Sequence, residues 1–169
     1  MPCVAVVLSI LLFFHRNWWP HGEVLGRVPG REGWHSDPGE PGFVEVPDVV
    51  LFRWEAPLFF ANAGLFADQV RDLVHERRPA WVVLQCEAIT DIDVTAADAL
   101  ASLHDELEDQ DIEMVFVELR DRLRDLLVAY DVYGKVDEGP FYRSVKEALT
   151  ATTGRRFKDL GLDDDPEET

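Results

Sequence analysis

The sequence predicts an α/β domain, a mixed sheet of four or five strands with helices mainly on one face. Two apolar runs of strand length carry most of that expectation. Residues 80–86 and 113–119 are nearly continuous in apolar side chains, the pattern of strands covered on both faces. The stretches between the strands carry helical period, so successive strands are joined by crossovers rather than hairpins. Length is the third observation. At 169 residues, 47% of them hydrophobic, the chain holds one ordinary domain with appendages and enough apolar content for a core.

The elements follow in order. Val49-Val50-Leu51-Phe52-Arg53-Trp54 is rich in β-formers, and residues 43–46 add an edge strand ahead of it. Residues 57–61 look like the end of a short neighbouring strand or hairpin arm. Residues 64–76 place Phe66, Val70, Leu73 and Val74 on one helical face, with Pro79 as the stop. The run at residues 80–86 is expected at the centre of the sheet, because such a strand at an edge would invite aggregation. Residues 95–109 form the second helix, with Ala97, Leu100, Leu103, His104 and Leu107 inward. Residues 113–119 are a buried strand, and residues 122–130 a short helix holding Leu123, Leu126, Leu127 and Tyr130. Residues 135–137 give a last short strand, and residues 141–151 a last helix with Val145, Ala148 and Leu149 inward.

The appendages differ in character. Residues 4–14 are uncharged and nearly all apolar, and they run into His15-Arg16-Asn17-Trp18-Trp19-Pro20. Trp and Arg favour the headgroup zone, so residues 1–19 read as the partial end of a transmembrane helix leaving the bilayer. The run is too short to span alone, since about 20 residues are needed. Residues 20–42 are so dense in Gly and Pro that no period survives, which reads as a linker whose residues pack poorly on the domain. A chain beginning near Phe43 is accordingly expected to behave better in solution than the whole. Residues 43–153 are the domain, and residues 154–169 an acidic tail.

Charge excludes one class of partner. With 33 acidic against 16 basic residues, a net −17, the chain lacks the clustered cations that nucleic acid binding needs. Cys3 and Cys86 form neither a disulfide framework nor a metal motif, which suits a reducing compartment. The five histidines show no ligand spacing, so no metal is expected. Catalysis is not expected either. No Gly-x-Gly-x-x-Gly follows a strand and no phosphate-cradling Walker loop occurs. His104 lies about 13 Å along the helix from Thr95, against the roughly 3 Å that a Thr–His pair requires.

One constellation stands out at the start of the second helix. Asp91, Asp93, Thr95 and Asp98 gather within eight residues. Thr95 with Asp98 fits a capping box, and Asp93 fits an N-cap that accepts from the amide of Thr95 or Ala96. Capping accounts for one carboxylate and one hydroxyl. The remainder fits either local satisfaction of acids at a helix N-terminus or a recognition or modification surface.

Asp93-Val94-Thr95-Ala96 resembles the signature loop of the STAS domain, the sulfate transporter and anti-sigma factor antagonist family, where Asp-Ser-Ser/Thr-Gly or a close variant opens the second helix. The resemblance spans residues 49–149 and implies a STAS-like (SpoIIAA-like) fold. Residues 57–63, with Trp18-Trp19-Pro20-His21 and Gly33-Trp34-His35, look more particularly like bacterial SulP anion permeases. There a STAS domain follows the last membrane helix on the cytoplasmic side. The resemblance therefore implies a regulatory or assembly domain of a sulfate or related anion transporter at the cytoplasmic face of the inner membrane. Its implied partners are the transmembrane transport domain of the same or a neighbouring polypeptide, a second copy in a homodimer, or an acyl carrier protein. The alternatives it leaves are a free-standing regulator of the anti-sigma antagonist class and a nucleotide-sensing domain. Val94 departs from the family pattern, for it stands where that branch carries the phosphorylated hydroxyl, so that switch is absent. GTP or ATP, also implied by the family, would have Arg120, Arg122 and Arg124 as the best basic patch, although Glu118, Asp121 and Asp125 compete for those guanidiniums.

Overall fold

The computed structural model describes residues 4–6, 8, 20–132 and 141–154. Among these, five strands form one sheet in the order β1-β2-β3-β4-β5: β1 (Gly22–Val24), β2 (Val49–Trp54), β3 (Trp81–Gln85), β4 (Glu113–Val117) and β5 (Phe141–Tyr142). β2 to β5 run parallel and β1 is antiparallel to β2, so the sheet is mixed. The helices are α1 (Ala63–Arg77), α2 (Val94–Glu108), α3 (Asp121–Ala129) and α4 (Val145–Thr153).

Alternation along each strand sorts the core into two layers. Val50, Phe52 and Trp54, with Val82, Leu84, Met114 and Phe116, point to the face covered by α1, α2 and α3. There Phe52, Trp54 and Phe66 form an aromatic cluster, Trp54 meeting Phe66 edge-on at 5.4 Å between ring centroids. Val49, Leu51, Val83, Val115 and Val117 point the other way, where α4 supplies Val145, Ala148 and Leu149. Three helices on one face and one on the other agree with the expected bias. β3 is central, parallel to both neighbours, with Val82 and Leu84 each 1% exposed.

The sheet begins earlier than the sequence pattern suggests. The expectation that residues before Phe43 pack poorly is wrong. β1 lies inside the Gly/Pro-rich stretch, Leu25 and Val28 are buried, and the chain bridges Gly26 to His35 and Arg27 to Val44. Arg27 is buried too, donating from Nη1 to the Gly33 carbonyl at 2.8 Å with its guanidinium over the Trp34 ring. Residues 20–46 are thus a strap closing the second core layer. Gly22 permits the contact. A Cβ there would sit 1.9 Å from Phe52 Cζ, and the Gly22 amide donates to Gln69 Oε1. Phe43 to Val46 contribute only an isolated bridge through Val44 rather than the expected edge strand.

Two further boundaries move. The stretch at residues 57–61 is not a strand; Leu58 makes one parallel bridge to Ile92, and a turn follows. The last helix starts at Val145 because Ser144 caps it, accepting from the Glu147 amide, while Glu147 accepts from Arg143 N–H. Phe141 and Tyr142, expected inside that helix, are β5 instead. The strand expected at residues 135–137 and the acidic tail from residue 155 lie outside the described residues. So does the N-terminal apolar run, except Val4–Val6 and Leu8, which are helical and exposed. No helix among the described residues is long and apolar enough to cross a membrane.

Candidate functional site

At the carboxyl end of the parallel strands, two loops meet. The first follows β2 and turns at residues 57–62; the second follows β3 and opens α2. Asn62, fully buried, shapes the first loop. Its Oδ1 accepts from the Phe59 amide and its Nδ2 donates to the Pro57 carbonyl, both at 2.9 Å. The second loop is then zipped to the first. The Leu58 amide donates to the Asp91 carbonyl at 3.0 Å and the Asp93 amide to the Leu58 carbonyl at 3.2 Å.

Asp93 completes the junction. It sits in extended conformation as the N-cap of α2, its Oδ1 accepting from the Ala96 amide at 2.8 Å. Its Oδ2 accepts from the Phe60 amide at 2.9 Å. One carboxylate therefore caps a helix and clamps a loop. Of the two capping schemes the sequence left open, the Asp93 cap is the one present, with Ala96 as donor. Thr95 and Asp98 do not form a capping box: both are exposed, and neither side chain has a hydrogen-bond partner among the described residues.

Asp91 is exposed and reaches Arg122 Nη2 through its Oδ2 at 3.1 Å. The fold thus joins two groups that the sequence kept apart, the acidic loop and the arginines of α3. Arg124 pairs with Asp121 at 3.7 Å. Arg120 occupies the N-cap position of α3 with no side-chain capping bond. Two of the three arginines considered for phosphate are therefore already faced by carboxylates. These pairs are exposed, and each contributes little to stability.

Around this polar frame lie apolar side chains turned outward. Phe60 is 67% exposed and Val94 52% exposed, and Phe59 meets Phe60 edge-on at 5.9 Å. The sequence marked the acids but not this pair, because an exposed Phe on a turn and a Val at the first helical position carry no periodic signal. Beneath the loops Cys86 is fully buried, and desolvation pushes its thiol far above the ordinary range, with Glu118 adding to the shift. It is an inert core thiol. Gln85, also buried, is satisfied by Arg53 Nε at 2.7 Å and by donating to Glu118 at 2.6 Å.

A mixed α/β sheet with an Asp-capped helix opening after its central strand is the architecture of a STAS-like domain. The STAS domain family model matches residues 40–148, and the chain belongs to that family. It is 36% identical over 149 residues to a protein of Mycobacterium tuberculosis named as a probable sulfate transporter, the match covering 87% of this chain and 27% of that protein. Among solved structures, the murine Solute Carrier 26 family member A9 anion transporter, in its inward-facing state, superposes with a TM-score of 0.78. It is 18% identical, over 90% of this chain and 25% of that one. A sulfate transporter family protein from Wolinella succinogenes gives a TM-score of 0.57 at 23% identity, covering 69% of this chain and 95% of its own. These structures share the fold. The chain spans about a quarter of the length of the mycobacterial relative.

Proposed function

We propose that the chain is the cytoplasmic regulatory and assembly domain of a SulP-type transporter for sulfate or a related anion, held at the cytoplasmic face of the inner membrane. The observation that carries this reading is the 36% identity, across 87% of the chain, to the mycobacterial protein named as a probable sulfate transporter. The domain conducts nothing itself and catalyses nothing. It works by contact, and its first partner is the transmembrane transport domain of the same or a neighbouring polypeptide. A second copy of the chain and an acyl carrier protein are the further partners.

The contact surface is the junction of Phe60, Asp91, Asp93, Val94 and Thr95. Asp93 holds its shape, and the exposed Phe60 and Val94 supply the apolar centre. Asp91 with Arg122, and the free Thr95 hydroxyl, form a polar rim. With valine at residue 94 the surface carries no hydroxyl at that position, which supports a permanent dock over a phosphorylation switch. The packed strap at residues 20–46 supports the same reading, because a strap built into the sheet passes movement at its membrane end to the domain more directly than a slack tether would.

The test is uptake of radiolabelled sulfate by the complete transporter carrying Phe60→Asp, Val94→Asp, Asp91→Ala or Thr95→Ala. Reduced uptake, or reduced copurification with the membrane part, at unchanged thermal stability is the expected result. Unaltered uptake and association in all four stable variants would return the loop to helix capping alone. Inspection of the upstream reading frame checks the architecture, since about a dozen apolar spans should precede the domain.

A further inference from the structure

The end of the sheet opposite the docking loops carries a groove of about 580 Å³ between the last turns of α1 and α2. Two corners form it, α1 turning into β3 and α2 turning into β4. Val74, Leu107 and Ile112 make its apolar floor. Its walls differ in sign. The α1 side presents Arg71, His75 and Arg78, and the α2 side Glu106 and Asp111. Arg71 and Glu106 tie the two walls together, Nε to Oε2 at 2.7 Å and Nη2 to Oε1 at 2.9 Å. That pair raises the Arg71 pKa and holds the Glu106 carboxyl below the usual carboxylate range. The other charges are unanswered. Arg78, His75 and Asp111 have no side-chain partner among the described residues. The groove thus offers one positive and one negative wall to whatever fills it.

The chain itself carries a segment of matching pattern. α4 opens just after β5, where the parallel strands end, and packs back across β3, β4 and β5 on the other face. Its C-cap, Gly154, therefore lies at the same edge of the sheet as the groove. Next in sequence come Arg155, Arg156 and Lys158, then Leu160 and Leu162, then Asp163, Asp164 and Asp165. Helices on opposite faces of a sheet stand about 20 Å apart, and residues 155–162 span up to about 26 Å when extended. A chain rounding the edge below β4 meets the Asp111 corner first and the Arg78 corner second. Its basic part thus reaches the negative wall, its acidic part reaches the positive wall, and its leucines fall between them over the apolar floor.

We propose that residues 155–165 dock in this groove, the basic part against Asp111 and the acidic part against Arg78 and His75. A simple ion would answer one wall and be repelled by the other, whereas a bipolar segment answers both. Attachment through Gly154 gives the segment an effective concentration on the order of millimolar, so weak exposed ion pairs suffice to hold it. Such pairs loosen as salt screens them. The groove lies at the far end of the sheet from Phe60 and Asp93, and the inference does not depend on the proposed function.

The test is paramagnetic broadening of amide NMR signals in the full chain, with a nitroxide attached at Glu167→Cys in the Cys3→Ser background. Cys86 is buried and stays unlabelled. The label should broaden the amides of His75, Arg78 and Ile112 and leave those of Phe60 and Asn62 sharp. Arg78→Glu should abolish the broadening, and adding Asp163→Arg with Asp164→Arg to that variant should restore it. Asp111→Asn should weaken it, asparagine being compatible with the left-handed backbone there. Circular dichroism checks the fold of each variant. If Arg78→Glu does not fold, Asp163→Arg with Asp164→Arg alone should give the same loss from the other side of the contact. Three outcomes overturn the proposal. They are a groove left sharp in the parent, broadening that persists in both Arg78→Glu and the double aspartate variant, and broadening passed from a labelled chain to an unlabelled one, which would make a second copy the occupant.

Discussion

Asp93 offers a direct test of the junction, because its two oxygens do separable work. Oδ1 caps α2 through the Ala96 amide and Oδ2 clamps the Phe60 amide. Asp93→Ala removes both. Loss of an aspartate N-cap costs about 0.5–2 kcal/mol, and loss of the Phe60 bond adds about 1–2 kcal/mol, since its acceptor is charged. The sum is about 1.5–4 kcal/mol, and the lower half of that range is expected because Asp93 is only half-buried and water replaces part of the loss. Asp93→Asn separates the two. Asparagine caps as well as aspartate, so its oxygen keeps Ala96, but its NH₂ then faces the Phe60 N–H, donor against donor. That variant should lose only the clamp, about 1–2 kcal/mol. Urea unfolding followed by circular dichroism gives both values, with an unchanged slope as the sign that the unfolded states are comparable. Amide exchange at Phe60 should quicken in both variants, whereas exchange at Ala96 should quicken only in Asp93→Ala. An Asp93→Asn protein as stable as the parent, with Phe60 still protected, would refute the dual role.

Further outcomes follow from the same geometry. Leu25→Ala should destabilise the domain by about 2–5 kcal/mol in thermal or urea unfolding, because Leu25 is 1% exposed in the second core layer. Starting the chain at Phe43 should lower solubility, as it uncovers Val49 and Leu51; soluble yield against the full chain measures this. Cys86 should resist a thiol reagent in the native Cys3→Ser protein and react only on unfolding, at a rate that follows added urea. The lowered carboxyl of Glu106 contributes stability that is fully present above the ordinary carboxylate range and is lost as pH falls through its folded-state value. Both partners of the Arg71 pair are more than a third exposed, so the effect is under about 1 kcal/mol. Glu106→Gln should flatten that part of the acid-unfolding profile.

What the sequence determined by itself was local. The β-formers of residues 49–54, the continuous apolar run of residues 80–86, and the helical period in residues 64–76 and 95–109 carry their own geometry, so strands, helices and the central place of β3 were legible. Asp93 as a cap was legible for the same reason, its donor lying three residues on. The tertiary structure alone decided the rest, because it depended on partners far along the chain. Gly22 reaches Gln69, 47 residues away, and Asp93 reaches Phe60 and Asp91 reaches Arg122 across 33 and 31 residues. A three-residue strand among glycines and prolines leaves no period to read, so the strap looked like a tether until β2 offered its free edge. His104 was legible as an inward-facing residue of its helix, yet its unpartnered Nδ1 exists only once packing has shut water away from it. Periodicity records which face of an element is buried; what that face meets is fixed only when the sheet brings its loops together.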